Sequence, residues 1–220
     1  MNPDYWHQRW LKGETGWHQD AINPHLQEYW PPPSLAPGAR VLIPLCGKSL
    51  DMLWLAGEGY RVLGVEISPL GVETFFTENG LTPAISEDPP FRRYRVDELE
   101  ILRGDFFHLR PDQVAGVSAV FDRASLIALP PAMRPAYARH LQDLLPAARI
   151  LLVTLDYDQA EMAGPPFAVS EAEVRALYEE RFVVREIAAL DIWAETPRYR
   201  ERGLSRIMER VFSLHPRQQA

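Results

Sequence analysis

The sequence is poor in the features that mark several classes of protein. It has one cysteine, Cys46, among 220 residues, which excludes an intramolecular disulfide and a metal site built from several cysteines. No run of 18 uncharged apolar residues occurs, so the sequence predicts no membrane span. The first residues lack a basic segment followed by an apolar one, and no secretory signal is expected. These absences predict a cytoplasmic protein without a membrane partner.

The chain also lacks an excess of positive charge. Its formal net charge is −7 at pH 7, whereas nucleic-acid binding needs clustered lysine and arginine. Glutamates lie among the one cluster of arginines near the C-terminus, which favours a solvated, ion-paired surface: Arg198, Arg200, Arg202, Arg206 and Arg210. We therefore expect no nucleic-acid partner.

One segment has the pattern of a nucleoside-binding α/β fold. The apolar run Val41–Leu45 precedes a turn at Gly47, and a second apolar run, Arg61–Glu66, ends in an acid. Doubly wound α/β domains hold a nucleoside with the backbone of the first turn and with a carboxylate on the ribose hydroxyls. The sequence predicts that Glu66 is this carboxylate and that the turn at Leu45 faces the ligand.

The first turn lacks the three glycines of G-x-G-x-x-G and has Gly47 alone. A pyrophosphate needs two close approaches of the backbone, which those glycines allow. A nucleoside cofactor without phosphate, such as S-adenosylmethionine, does not need both of these close backbone approaches. The pattern therefore favours methyl transfer over hydride transfer.

Two further strand ends carry polar residues. Asp105 and Phe106 follow the predicted strand Leu99–Leu102, and Asp122 with Arg123 follow Val117–Phe121. Ligands of such sheets bind outside the carboxyl ends of the strands. Asp105 is suited to an adenine amino group, Phe106 to the base, and Arg123 to a carboxylate. The alternatives are a helix cap for the lone acid and a structural ion pair for Asp122 and Arg123.

The rest of the chain predicts a single α/β domain over residues 1–220, with a Rossmann-like core over 40–214. Residues 1–30 form an arm rich in aromatic residues, which either caps the core or belongs to a lid: Tyr5, Trp6, Trp10, Trp17, Tyr29 and Trp30. Prolines in Thr82–Arg95 predict a surface excursion. The periodicity of Leu204–Leu214 fits a helix as well as a strand.

Two reactive residue types have simpler interpretations. Cys46 has no identifiable base near it in sequence, so it is interpreted as a small buried packing residue rather than a nucleophile. The histidines of the arm, His7, His18 and His25, lack metal-ligand spacing. No metal site is predicted.

Several segments resemble the thiopurine S-methyltransferase family, and most of all its bacterial members. They are Pro44-Leu-Cys-Gly-Lys-Ser, Gly64-Val-Glu-Ile-Ser, Asp122-Arg-Ala, Leu155-Asp-Tyr-Asp with Gly164-Pro-Pro-Phe, and the N-terminal series Trp6, Trp10, Gly13, Thr15, His18 and Gln19. The resemblance runs from Tyr5 to about Leu214.

The resemblance implies a class I methyltransferase fold, a doubly wound, mostly parallel sheet of seven strands whose last strand is antiparallel. It makes Leu204–Leu214 a strand. It implies that S-adenosyl-L-methionine is the cofactor, that S-adenosyl-L-homocysteine is the product, and that an aromatic or heterocyclic thiol is the acceptor. Bacterial relatives are associated with selenium and tellurium methylation and with tellurite resistance, so chalcogen compounds are further candidates.

The resemblance also assigns residues. Cofactor contacts are expected from Trp10, Leu45, Glu66 and Arg123, with Asp105 and Phe106 near the adenine. On the substrate side it implies Arg123 and Arg198, although Tyr199-Arg-Glu-Arg departs from the family pattern around Arg198.

The expected mechanism needs no essential base, because a thiopurine has thiolate character near neutral pH. Three alternatives remain: an O- or N-directed methyltransferase, a nicotinamide-dependent oxidoreductase, and a non-catalytic protein that binds the cofactor. Fold alone does not choose among acceptors. No long exposed apolar edge is visible in the sequence, so a monomer is expected.

Overall fold

The computed structural model describes residues 3–217. The chain divides into two compact units, of which one ends at Phe121 and the other begins at Asp122. The organisation as one domain stays a prediction.

Helices and strands alternate along most of the chain, as the sequence predicts. The helices are α1 Pro3–Leu11, α2 Pro24–Tyr29, α3 Asp51–Gly57, α4 Pro69–Glu78, α5 Arg134–Leu144, α6 Glu171–Tyr178 and α7 Pro197–Glu201. The strands are β1 Arg40–Ile43, β2 Arg61–Glu66, β3 Ala84–Asp88, β4 Phe91–Val96, β5 Leu99–Arg103, β6 Val117–Arg123, β7 Arg149–Asp156, β8 Phe182–Asp191 and β9 Met208–Pro216.

Over the described residues the sheet has nine strands, so the expected number of seven was wrong. In the first unit the strand order is β3-β4-β5-β2-β1-β6. The pairings of β5 with β2, β2 with β1, and β1 with β6 are parallel, whereas β3, β4 and β5 pair antiparallel. The core of this unit is therefore the parallel sheet that the sequence indicated.

The two unexpected strands, β3 and β4, come from the segment that was interpreted as a surface excursion. Phe91 and Tyr94 are buried while arginines between them are more exposed. The far end of β3 is held by Asp88, which accepts hydrogen bonds from Arg110 and Gln113. The Gln113 amide and the two neighbouring guanidinium groups lower the pKa of Asp88 to about 2. The sequence pattern did not predict this edge hairpin, because its charged side chains and turn prolines are also typical of loops.

In the second unit the order is β7-β9-β8, and β9 runs antiparallel to both neighbours. The ambiguous segment Leu204–Leu214 is thus largely strand, as the family resemblance implied. Ser170 caps the start of α6, because its hydroxyl accepts a hydrogen bond from the Glu173 N–H at 3.3 Å.

β1 and β2 are almost continuously buried, from Val41 to Ile43 and from Val62 to Glu66. Strands of a parallel sheet that is covered on both faces have such unbroken apolar runs. Within residues 3–217 no helix is both long enough and apolar enough to cross a bilayer.

The middle of β2 is packed too closely for any side chain. A Cβ atom at Gly64 would lie 2.7 Å from the Cys46 sulfur and 2.9 Å from the Met52 sulfur. The glycine of the G-V-E sequence therefore reflects contact of β2 with the loop after β1 and with α3.

We expect Gly64→Ala to lower the free energy of unfolding by about 1–3 kcal/mol, because the two sulfur atoms have to move. Gly57→Ala is the matched control. A Cβ there meets nothing within 4 Å among the described residues, so this change in α3 should be neutral or stabilising by up to about 1 kcal/mol. Urea unfolding midpoints measure both. Equal midpoints for Gly64→Ala and the unchanged protein would contradict the packing argument.

Candidate functional site

Glu66 connects the turns that follow the first two strands. It ends β2 and is 6% exposed. One carboxylate oxygen accepts from the Gly47 N–H at 2.9 Å, and the other accepts from the Ser68 N–H at 2.7 Å. Burial raises the pKa of Glu66, while these backbone donors oppose the rise. A carboxylate offers about four lone-pair positions, so Glu66 can fix both turns and still accept from a ligand.

The turn that carries Leu45 is fixed against β2. The Cys46 N–H donates to the Val65 carbonyl at 2.9 Å, and Leu45 adopts a φ of +45°, which non-glycine residues rarely do. Cys46 itself is buried. Burial first, and then the charge of Glu66, raises the pKa of the Cys46 thiol well above its usual value. A buried thiol held neutral agrees with a packing role.

Trp10 lies over the start of α4, beside Glu66. It is 6% exposed, and a Cβ on Gly71 would come within 2.9 Å of its ring. Trp17 packs edge to face on Trp10, with ring centroids 5.7 Å apart. Nε2 of His7 lies 3.2 Å from the Ile67 carbonyl oxygen. The aromatic arm is therefore packed on the β2–α4 connection, and whether it also moves as a lid stays a prediction.

A buried acid that sequence reasoning missed, Asp51, links the arm to the first turn. Its carboxylate accepts from the Asn23 N–H at 2.8 Å and from the Ser49 hydroxyl at 2.8 Å. The signal was present in the sequence, since Ser49 and Asp51 stand at the start of α3, where such side chains satisfy free N–H groups.

Asp105 caps a helical turn, which was the alternative to the adenine contact expected of it. It accepts from the Phe107 N–H at 3.0 Å and caps a short 3₁₀ turn, Phe106–His108. Phe106 is buried. The neighbouring Gly104 N–H donates to the Glu66 carbonyl at 2.8 Å, so the β5 end lies beside the β2 end. The contacts with adenine stay a prediction.

In the second unit, Asp122 is completely buried at the end of β6. The Tyr137 hydroxyl donates to one carboxylate oxygen at 2.7 Å, and the Leu126 N–H lies 3.4 Å from the other. Ser125 also bonds to it through its side chain and backbone. Burial raises the pKa of Asp122 to about 6, against the effect of these donors. The sequence marked Asp122 as a polar residue at a strand end, with an ion pair to the adjacent Arg123 as its alternative role, but gave no sign of Tyr137 as its partner.

Arg198 lies exposed in α7. Its guanidinium carbon is 4.7 Å from the centroid of the Tyr199 ring, and Nη2 donates to the Tyr199 hydroxyl at 3.3 Å. Elsewhere in the C-terminal cluster, Arg210 pairs with Asp156 and Glu186, which agrees with an ion-paired surface.

The structure thus brings Trp10, Leu45 and Glu66 together in the first unit and places Asp105 and Phe106 at the adjacent strand end. Arg123 and Arg198 belong to the second unit. Within residues 3–217 no group of three or more histidine, cysteine, aspartate or glutamate side chains is arranged to hold a metal ion.

Comparison with known proteins now identifies the family. The model of the family described as thiopurine S-methyltransferase matches residues 1–217. The chain belongs to the thiopurine S-methyltransferase family. A relative named thiopurine S-methyltransferase from Nitrosospira multiformis is 53% identical over 218 residues, covering 99% of each chain. One with the same name from Azotobacter vinelandii is 50% identical over 218 residues, covering 99% of this chain and 100% of that one.

Solved structures agree on the fold. An S-adenosylmethionine-dependent methyltransferase from Anabaena variabilis superposes with a TM-score of 0.68 at 13% identity, covering 99% of this chain and 96% of that one. The 1,6-didemethyltoxoflavin N1-methyltransferase of Burkholderia thailandensis, solved with S-adenosylhomocysteine, gives a TM-score of 0.61 at 15% identity. The match covers 97% of this chain and 86% of that one. These neighbours confirm the class I methyltransferase fold.

The buried carboxylate of Asp122 predicts a pH dependence of stability. Its pKa is raised from 3.8 to about 6 in the folded protein, so the native state holds the proton more tightly than the unfolded chain does. The free energy of unfolding should therefore fall as pH rises from about 4 to about 6, by up to about 3 kcal/mol at 1.36 kcal/mol per pH unit, and stay level above that.

Urea titrations at several pH values should show that Asp122→Asn lacks this decline. Asp143→Asn is the control, because Asp143 has a half-exposed side chain paired with Arg181; it should retain the decline. An equal pH dependence in the unchanged protein and in Asp122→Asn would contradict the prediction.

Proposed function

We propose that the protein transfers the methyl group of S-adenosyl-L-methionine to the sulfur of an aromatic or heterocyclic thiol, as the names of its relatives indicate for them. The observation that supports a nucleoside site here is the buried Glu66 carboxylate, fixed beside the one-glycine turn at the carboxyl end of a parallel strand. Selenium and tellurium compounds are further proposed acceptors. Methylation of tellurium compounds by this protein would contribute to tellurite resistance. We also propose a cytoplasmic monomer without a membrane or nucleic-acid partner.

The residues of the first unit fit such a cofactor. Glu66 retains lone pairs for the two ribose hydroxyls, and charge-assisted hydrogen bonds of this kind are about twice as strong as neutral ones. The backbone at Leu45 and the ring of Trp10 flank the same turn. Asp105 would accept from the adenine amino group, and Phe106 would pack near the base.

The cofactor supplies a sulfonium methyl group that is already activated toward displacement. The contribution of the chain is then position, and alignment of two reactants can lower a barrier by about 7–11 kcal/mol. An acceptor with thiolate character needs no proton removed. We therefore propose no essential general base.

Arg123 and Arg198 are proposed to favour the anionic acceptor, and Arg123 also to contact the cofactor. A guanidinium offers a planar pair of donors to a carboxylate or thiolate-bearing ring, which an ammonium does not. Replacement of Arg123 by lysine should accordingly reduce activity even though the charge is kept.

The deciding experiment measures S-adenosylhomocysteine formation with 6-mercaptopurine and, in parallel, with its 6-hydroxy analogue. We expect turnover with the thiol alone, because sulfur is the better nucleophile and no base activates the hydroxyl. Turnover of the hydroxyl compound at a similar rate would favour an O-directed enzyme. Binding of S-adenosylhomocysteine without turnover of either compound would contradict the proposed acceptor but support the assignment of the cofactor.

Trp10→Ala should weaken S-adenosylhomocysteine binding about 10-fold or more, since the ring packs against the turn that is proposed to hold the cofactor. Leu11→Ala is the matched control on the same helix, because Leu11 is 68% exposed. Isothermal titration calorimetry measures both affinities. Equal affinities would assign the arm to packing alone.

A further inference from the structure

The turn after β6, residues 124–129, has a conformation that requires support. Ala124, directly after Arg123, has a φ of +66°. The left-handed region costs a residue with a Cβ about 1 kcal/mol or more, and such strain persists only where the surroundings enforce it. The direction of the Arg123 side chain depends on this turn, because Arg123 is the last residue of β6 and directly precedes the strained residue.

Asp122 supplies that support from inside the second unit. Its carboxylate accepts from the Leu126 N–H, the Ser125 side chain and backbone, and the Tyr137 hydroxyl. Two of these residues belong to the turn itself, and Tyr137 reaches it from α5. The carboxylate thus closes the turn on one side and fixes it to a helix on the other.

The far end of the same turn is held by other groups. The Ile127 carbonyl accepts from the Phe167 N–H at 2.7 Å, and the Leu129 carbonyl accepts from Arg134 Nε at 3.0 Å. Phe167 belongs to the Gly164-Pro-Pro-Phe loop, which is thereby connected to the turn after Arg123. Asp122 holds the part of the turn nearest Arg123, through Ser125 and Leu126.

Keeping Asp122 ionised is costly. It is fully buried, and its pKa of about 6 means that ionisation at neutral pH works against stability. A buried carboxylate that persists at such a cost is typical of functional sites. Protonation would replace one acceptor by a donor among groups that already donate, so the turn would lose its closure.

We propose that Asp122 is the positioning residue of Arg123, whose ionised carboxylate holds the strained turn and so fixes the direction of the Arg123 guanidinium. This inference rests on the proposed function, in which Arg123 contacts the cofactor or the acceptor. Asp122 itself touches neither and acts through the turn.

Two buried tyrosines near Asp122 offer a matched test. Tyr137 on α5 donates to the carboxylate. Tyr178 on α6 is equally buried and is affected by the charge of Asp122, but its hydroxyl has no hydrogen-bond partner among the described residues. Ser125, in the turn itself, is a further polar side chain that acts on Asp122, and its hydrogen bonds lower the pKa of the carboxyl.

The experiment follows the pH profile of kcat/KM for S-adenosylhomocysteine formation with 6-mercaptopurine between pH 5 and pH 9. The acceptor's own titration is common to every variant, so differences between variants report on the enzyme. Tyr137→Phe removes a donor that favours the ionised form, and the acid limb should move about one pH unit upward. Tyr178→Phe should leave it in place. Asp122→Asn should lower the plateau value of kcat/KM about 10-fold or more. Its acid limb should keep only the titration of the acceptor, because the titrating carboxyl group of the enzyme is gone.

Arg123→Ala, measured in parallel, separates this inference from the proposed function. If Arg123→Ala leaves activity unchanged, the role of Arg123 is wrong and the inference fails with it. If Arg123→Ala reduces activity while Tyr137→Phe and Tyr178→Phe have the same profile, only the positioning role of Asp122 is overturned. Should Asp122→Asn fail to fold, the tyrosine pair still decides, because each loses only one hydroxyl group.

Discussion

The buried carboxylate of Glu66 is the interaction on which the first unit depends. It receives the N–H groups of Gly47 and Ser68, so the loop after β1 and the start of α4 are held by one side chain. The position of Trp10 follows from this, because its ring lies on Gly71, whose N–H is bound to the Ser68 hydroxyl. Without Glu66 these backbone donors would be buried without this acceptor, which would lower the free energy of unfolding.

Asp122 is the counterpart of Glu66 in the second unit. Glu66 is the last residue of β2 and Asp122 the next to last of β6. Both are buried, and burial raises the pKa of each. They differ in their donors. Glu66 is bound by backbone N–H groups of two turns, whereas Asp122 depends partly on the hydroxyl groups of Tyr137 and Ser125. Hydroxyl donors can rotate away, so the ionisation of Asp122 is the more sensitive of the two to a single substitution.

Sequence patterns found the elements whose signals are local. The β2 strand is Arg61–Glu66 as predicted, and Ser68 caps α4 because its hydroxyl meets the Gly71 N–H. The hairpin of β3 and β4 was missed, since the arginines of β4 and the flanking prolines resemble a loop when the neighbouring strand is unknown. Its burial of Phe91 and Tyr94 arises from pairing with β5, which a local window does not contain.

The sequence by itself determined the alternation of strands and helices, the family, and the acids and aromatic residues that stand at the strand ends. It did so because a parallel sheet requires continuous apolar strands, and because a short motif such as P-L-C-G-K is read directly. Only the tertiary structure decided what each acid touches. Asp51 accepts from Ser49 and, across 28 positions of the chain, from Asn23. Asp122 meets Tyr137 from another element. Hydrogen-bond partners are set by distances between elements, and those distances follow from packing rather than from local sequence.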